Sequence, residues 1–324
     1  MHEELLRLAG EFSITLIAEK IDRQVPAGVE AIEISAWSVF PWVNPKLAQL
    51  LRTFSLVHCH DSLGFMRAAA TSQLSYVVTC HGIAPLRLHG SIRARSRGAV
   101  TLLTYPNLYR SATLVIGISA YVTAWLREFA RVEAVTVANG APKTMAFRYE
   151  TPSRRNLLYV GEVSYRKGVH DLVRALSTTS SDVQLDVVGR GASRSYVDRL
   201  DVKGLEERVR FHGEVSDLDL RNLYRSCFST CSASYWEGFG LPIVEGFSQG
   251  RPAIVRRVGG MSELIGESGA GCALSDFGKL NSCVEFVTDE WAVLSARAVA
   301  YAQTHSWDST FDTYLRIFRD QVKR

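Results

Sequence analysis

Short apolar runs alternate with helically spaced stretches along the whole chain, the pattern of parallel sheets assembled from strand–helix–strand units. In the first half the runs Ser13–Glu19, Val29–Ile34, Leu56–His60, Tyr76–Cys80, Leu114–Ile118 and Ala134–Ala138 read as strands. Met1–Gly10, with Leu5, Leu6 and Leu8 on one apolar face, reads as a helix, and so do Pro45–Phe54 and Ala120–Phe129. In the second half Asn156–Val160, Val183–Val188, Val209–His212, Phe228–Ser232 and Pro252–Val255 read as strands, separated by helices such as Val169–Ser177, Ser216–Arg225 and Pro242–Gln249. A last helix opens at Ser306-Trp307. Between the halves, Asn139-Gly140 through Arg155 carries two prolines and few apolar residues, so it reads as a linker. No internal repeat or low-complexity tract interrupts the alternation. A chain of 324 residues exceeds what one core usually supports, so two domains are expected, 1–150 and 151–305, followed by the helical segment 306–324.

Composition narrows the class without naming a function. The chain is 47% hydrophobic and 22% charged, the balance of an ordinary globular protein. No apolar run approaches the roughly 18–20 residues of a membrane helix, and the N-terminus lacks a signal-peptide pattern, so a cytoplasmic protein is expected. Cysteines 59, 80, 227, 231, 272 and 283 lie mostly in or beside predicted strands and include no C-x-x-C pair; reduced, mostly buried thiols are expected. The formal charge is +4, and all of the excess is in residues 1–150, where Arg87, Arg93, Arg95 and Arg97 gather around His89. A solvated helix start accounts for them most simply; a peripheral contact with an anionic membrane surface or an anionic acceptor is the sharper alternative. Nucleic acid is not indicated, since no aromatic-rich basic motif accompanies the arginines.

The most informative stretch is Tyr235-Trp236-Glu237-Gly238-Phe239-Gly240-Leu241-Pro242-Ile243-Val244-Glu245. It puts one carboxylate in a glycine-rich loop and a second inside the helix that the loop feeds. Pro242 suits the first helical position, and Gly250 before Arg251-Pro252 suits the end. A helix start aims free N–H groups and partial positive charge at what the loop encloses, which favours phosphate. Neither glutamate suits a phosphate. Each suits hydroxyl groups, one ahead of the phosphate and one behind it, and that arrangement describes a sugar nucleotide.

The same segment resembles the E-x7-E signature of the retaining glycosyltransferases of the GT-B fold, the large group 1 or family four of glycosyl transferases. Leu158-Tyr159-Val160-Gly161 with Arg166-Lys167-Gly168 resembles the family's strand, glycine and KG step. Asp186-Val187-Val188-Gly189-Arg190-Gly191 and Val209-Arg210-Phe211-His212-Gly213 resemble its next two strand ends, and Gly259-Gly260-Met261-Ser262-Glu263 its GG-x-x-E. The resemblance implies an α/β protein of two Rossmann-like, doubly wound domains facing across a cleft. Residues 1–150 would serve the acceptor and 151–305 the donor, with 306–324 packing back toward the first domain. Relatives open with a strand and a glycine-rich loop that are missing here. Either the start is mis-assigned or part of the site is lost; unpaired sheet edges favour the first.

The resemblance also implies roles. Lys167 and Arg166 would meet the charge that grows on the leaving diphosphate. Many relatives carry arginine where this chain has Glu162; either Arg166 supplies that charge from four residues on, or the site is one cation short. Glu237 would bind hydroxyls of the transferred sugar, and His81, directly after a strand, would face that sugar. Glu245 would accept the two ribose hydroxyls. The backbone of Gly238, Phe239, Gly240 and Leu241 would meet phosphate or sugar, while Gly161, Gly189 and Phe211 would line the nucleotide. No cofactor and no metal are expected: Asp217 and Asp219 follow Ser216 as a helix cap, and His58 and His60 read as ordinary strand residues. The implied reaction moves a sugar from a nucleoside diphosphate to an unidentified glycan, lipid or small molecule. The alternatives are a catalytically impaired or partner-dependent sugar-nucleotide binder, or another GT-B enzyme such as an epimerase or a phosphorylase. A dinucleotide-binding enzyme is poorer, since no G-x-G-x-x-G follows a strand.

Overall fold

A computed structural model of the chain describes residues 8–21, 25–34, 37–39, 42–85, 88, 92–144, 151–191, 194–198 and 200–323. The chain divides into two compact units. One comprises Met1–Gly82, Val100–Ala138 and Trp307–Arg324, the other Ile83–Ala99 and Asn139–Ser306. The helix expected over Met1–Gly10 lies largely outside the described residues, as do Arg87 and His89 of the basic cluster.

In the first unit β1 (Ile14–Ala18) pairs in parallel with β2 (Val29–Glu33), and β3 (Trp37–Val39) pairs antiparallel with β4 (Trp42–Val43). Helix α1 (Pro45–Leu51) leads to β5 (Val57–His60), α2 (Leu63–Thr71) and β6 (Tyr76–Cys80). Helix α3 (Ile92–Ser111), which carries Pro106 in its interior, spans the boundary between the units and precedes β7 (Leu114–Gly117), α4 (Ala120–Phe129) and β8 (Ala134–Thr136). Strands β5 to β8 form a parallel sheet in chain order. Every residue of β6 is buried, as the continuous run Tyr76-Val77-Val78-Thr79-Cys80 demands of a strand covered on both faces. The terminal helix Trp307–Val322 completes this unit: Tyr314 and Phe318 pack in one cluster with Leu8, Val77, Ile116 and Val137.

The second unit is built on six parallel strands. They are β9 (Arg155–Val160), β10 (Val183–Val188), β11 (Val209–Gly213), β12 (Ser229–Ser232), β13 (Ala253–Arg256) and β14 (Gly271–Leu274). Between them lie α5 (Val169–Leu176), α6 (Asp217–Ser226), α7 (Leu241–Ser248) and α8 (Gly259–Ser268), followed by α9 (Leu280–Asp289) and α10 (Trp291–Thr304). The strand order is β11-β10-β9-β12-β13-β14, so the winding reverses between β9 and β12. Chain segments leaving the carboxyl ends of two such strands diverge and open a crevice, the usual ligand position in doubly wound sheets. Here those segments are Gly161–Gly168 and Ala233–Gly240, the two with the most chemistry in the sequence. The core beneath is Leu157, Tyr159, Leu185 and Val187 of the sheet against α5, with Trp291 donating its indole N–H to Phe228 O at 2.9 Å.

Two expectations are corrected. Cys272 on β14 and Cys283 on α9 are joined as a disulfide, so only Cys59, Cys80, Cys227 and Cys231 are the buried free thiols expected of all six. Eleven residues separate the pair, but the turn of chain between strand and helix brings their Cα atoms to 6.1 Å. Helix α7 begins at Leu241 rather than Pro242, because Gly240 adopts the left-handed conformation and caps the helix itself.

Candidate active site

The turn after β9 is closed by hydrogen bonds from Lys167 N to Ser164 O and from Gly168 N to Tyr165 O, at 3.1 and 3.0 Å. Gly168 then enters α5 at φ +68°, and a Cβ there would stand 2.1 Å from the carbonyl oxygen of Ala233. Only glycine lets this turn lie against the end of β12. Tyr235 N donates to Arg166 O at 2.9 Å and ties the two segments together. The result is a direct ion pair: Lys167 Nζ lies 2.6 Å from Glu237 Oε2, with each side chain only 19% exposed. Two residues seventy positions apart in sequence therefore meet at the topological switch of the sheet.

Arg166 turns the other way and lies 3.7 Å from Glu162. The pair thus joins the two positions between which the cation was left open. Below the turn is a packed aromatic group. Tyr165 stacks on His170 at 4.9 Å and on Tyr235 at 5.5 Å, while its remaining surface leaves it 52% exposed. Tyr235 donates its hydroxyl to Asp171 Oδ2 at 2.6 Å, and Arg256 reaches the same oxygen at 2.5 Å with its guanidinium 4.5 Å from the Tyr235 ring centre. Burial lowers the His170 pKa despite the opposing charge of Asp171, so this ring is neutral near pH 7.

Beyond Glu237 the loop is held by a bond from Gly260 N to Glu237 O at 2.9 Å, and Phe239 is buried within it. No side chain caps the start of α7. Its orphan N–H end and partial positive charge therefore open onto the loop. Glu245 follows on this helix and is half-buried. Burial raises its pKa and the charge of Asp217 adds to that, while a hydrogen bond from the Tyr224 hydroxyl to Oε2 at 2.7 Å works against both.

Gly161 and Gly189 end β9 and β10, and they touch: a Cβ on Gly189, at φ +129°, would meet Gly161 O at 2.1 Å. Close packing of the two strand ends thus requires glycine at 189, while a Cβ on Gly161 would meet the Tyr159 hydroxyl at 3.2 Å. Phe211 is 43% exposed on β11, beside the register shift at Val187 and Val188. Ser216 caps α6 by accepting from Asp219 N at 3.1 Å, so Asp217 and Asp219 belong to a helix start. Among the described residues no group of three or more His, Cys, Asp or Glu side chains is arranged to hold a metal ion.

His81 belongs to the first unit. Its Nε2 lies 3.0 Å from His60 Nδ1, and its backbone N–H donates to Asp61 Oδ2 at 2.5 Å. Tyr109 donates to the other carboxylate oxygen at 2.8 Å. His58 behind them bonds Thr79, which bonds Tyr314 of the terminal helix. Protein packed around these rings lowers all three histidine pKa values, that of His60 to about 4, with neighbouring imidazoles adding to the effect on His58 and His60. Of the basic cluster, Arg95 is exposed on α3. No described helix is long and apolar enough to cross a membrane.

Sequence reading missed Tyr224, Asp171, Tyr235 and Arg256. Tyr235 adjoins the glutamate loop and was available as a signal; the other three gain their meaning only from contacts made across the fold.

Comparison with known proteins gives a consistent picture. The family described as Glycosyltransferase Family 4 matches residues 11–142, and that described as Glycosyl transferases group 1 matches residues 145–277. A glycogen synthase of Mycobacterium tuberculosis is 28% identical over 277 residues, covering 80% of this chain and 66% of that protein. The chain thus spans just under two thirds of that relative's length. Sucrose-phosphate synthase from Thermosynechococcus elongatus superposes with a TM-score of 0.79 at 20% identity, covering 98% of this chain and 91% of the other. HepE of Anabaena, solved in complex with UDP and glucose, superposes with a TM-score of 0.74 at 21% identity, covering 90% and 86%. The fold is GT-B.

Proposed function

This chain belongs to the group 1, family 4 glycosyltransferases, and on that premise we propose that it transfers a sugar from a nucleoside diphosphate donor to an acceptor with retention of anomeric configuration. The observation that carries the reading is the contact between Lys167 and Glu237 at the switch point, beside the start of α7, where Gly240 offers no side-chain cap. A cation and a helix N-terminus suit the diphosphate, and the two carboxylates suit the hydroxyls on either side of it, Glu237 those of the transferred sugar and Glu245 those of the ribose. Lys167 and Glu237 partly neutralise each other in their 2.6 Å contact. Lys167 meets the diphosphate and Glu237 the sugar hydroxyls, and their mutual contact keeps the two side chains close to those partners.

Lys167 acts as the fixed cation opposite the leaving diphosphate, where charge is greatest as the glycosidic bond breaks. Arg166, already screened by Glu162 at 3.7 Å, supplies a second and weaker charge. Phosphate oxygens meet backbone N–H groups of Gly238, Phe239, Gly240 and Leu241. Glu245 receives the ribose hydroxyls, and Phe211 with Gly161 and Gly189 borders the base. HepE, crystallised with UDP and glucose, is in keeping with a uridine donor. The acceptor is a glycan, lipid or small-molecule hydroxyl served by residues 1–150.

Incubating purified protein with UDP-glucose, GDP-mannose and ADP-glucose and scoring free nucleoside diphosphate tests this reading. Release from one donor, abolished by Lys167→Ala, is the expected result. Absence of both binding and turnover with all three would refute it.

A further inference from the structure

Tyr224 lies on α6, 4% exposed, and packs with Leu158 of β9, Val188 of β10 and Cys227. Its ring is thus fixed to the sheet core. Its hydroxyl emerges from that cluster and donates to Glu245 Oε2 at 2.7 Å. Burial holds the phenol pKa well above its ordinary value, so the group remains a donor at any working pH. A glutamate has three side-chain torsions, and one on the first turns of a helix ordinarily samples several rotamers. A carboxylate that must receive two vicinal hydroxyls at once cannot rotate freely, because bidentate geometry needs both oxygens in one plane. The Tyr224 hydroxyl fills one acceptor site on Oε2 and sets that plane. Oε1 and the remaining acceptor site on Oε2 are left for a ligand.

We propose that Tyr224 is a positioning residue that locks the Glu245 carboxylate for bidentate capture of a ribose diol, making the site select ribonucleotides over deoxyribonucleotides. This rests on the sugar-nucleotide reading above and adds a residue and a selectivity to it. A buried acceptor pair built for two hydroxyls discriminates strongly against an analogue that lacks one, since the unmatched oxygen loses water without gaining a partner.

Calorimetry with UDP, ADP and GDP identifies the diphosphate that binds the wild-type protein most tightly, and the same measurement is made with its 2′-deoxy counterpart. Wild type should prefer the ribonucleotide by about tenfold or more. Tyr224→Phe should weaken ribonucleotide binding about five- to tenfold and deoxyribonucleotide binding less than about twofold, so the preference collapses. Adding Tyr224→Phe to Glu245→Gln should cost no more than about twofold further, because the two act as one unit. A thermal melt guards against a folding effect, which would lower binding of both nucleotides alike. Equal losses for the two nucleotides, or unchanged ribonucleotide binding, would overturn the positioning role while the sugar-nucleotide reading stands. No preference in wild type would remove the ribose role of Glu245. Failure of all three diphosphates to bind would remove the sugar-nucleotide reading itself.

Discussion

The ion pair of Lys167 and Glu237 contributes little to stability, which leaves both groups open to the binding role proposed for them. Each is about four-fifths shielded, so the attraction is stronger than at an open surface, yet both groups lose hydration to form it. Lys167→Ala should therefore lower turnover by ~2–4 kcal/mol of barrier and raise the donor KM less, which steady-state kinetics on the accepted donor would reveal. Glu245→Ala should weaken binding of the nucleoside diphosphate by ~1–3 kcal/mol in calorimetry. The histidines set a pH response. His58, His60 and His81 have folded pKa values below the ordinary 6.5, that of His60 at about 4. Between those values and 6.5 the unfolded chain binds more protons, so stability is complete above about 6.5 and falls as pH drops toward 4. Asp61, raised by burial, has the opposite sign and blunts the fall. Thermal midpoints measured from pH 7 to 4 should drop, and His58→Gln should flatten the slope.

Among the elements, the turn between β9 and α5 carries the site, and its geometry rests on Gly168. Gly168→Ala imposes a left-handed strain of about 1–2 kcal/mol and a collision with Ala233 O. It should shift the denaturant midpoint downward and impair donor binding together, because relieving the collision moves Lys167 away from Glu237. The longer strands were legible because they are runs rich in β-branched residues, as in Tyr76–Cys80, where Val77, Val78 and Thr79 stand together. Strand β14 was not: Gly271-Cys272-Ala273-Leu274 is short, starts at glycine and has no β-branched residue. It becomes an edge strand because Gly271 fits against Ala253, where a Cβ would meet the carbonyl oxygen at 2.0 Å. The hairpin of β3 and β4 escaped notice for a similar reason, being two or three residues per strand.

On the scale of the molecule, the terminal helix is the element whose partners sequence distance hides most. Phe318 is 6% exposed in a cluster with Val77 and Ile116, whereas Leu103 is 79% exposed. Phe318→Ala should cost ~3–5 kcal/mol by chemical denaturation. Leu103→Ala should stay within about 0.5 kcal/mol. In the proposed reaction, Lys167 and Arg166 would supply the charge that a divalent ion otherwise provides to a diphosphate. Turnover should survive excess chelator, and proton NMR of the product should show a retained anomeric configuration. Activity abolished by chelator and restored by manganese would contradict that.

What the sequence determined by itself is the alternation of strand and helix, the glycine-flanked loop before α7 and the chemical types in it, since periodicity, capping and φ freedom act over a few residues. From these the parallel α/β class followed, and the proposal of a sugar nucleotide for the pair Glu237 and Glu245 starts from them. The helix cap at Ser216 was equally local and was read correctly. Only tertiary structure decided that Lys167 meets Glu237, that Arg166 answers to Glu162, that Tyr224 holds Glu245 and that Cys272 joins Cys283. The pairing of Lys167 with Glu237 depends on the order in which strands enter the sheet. That order places β9 beside β12 across sixty-eight residues of intervening chain, and hydrophobic packing of the whole sheet, rather than any local preference, selects it.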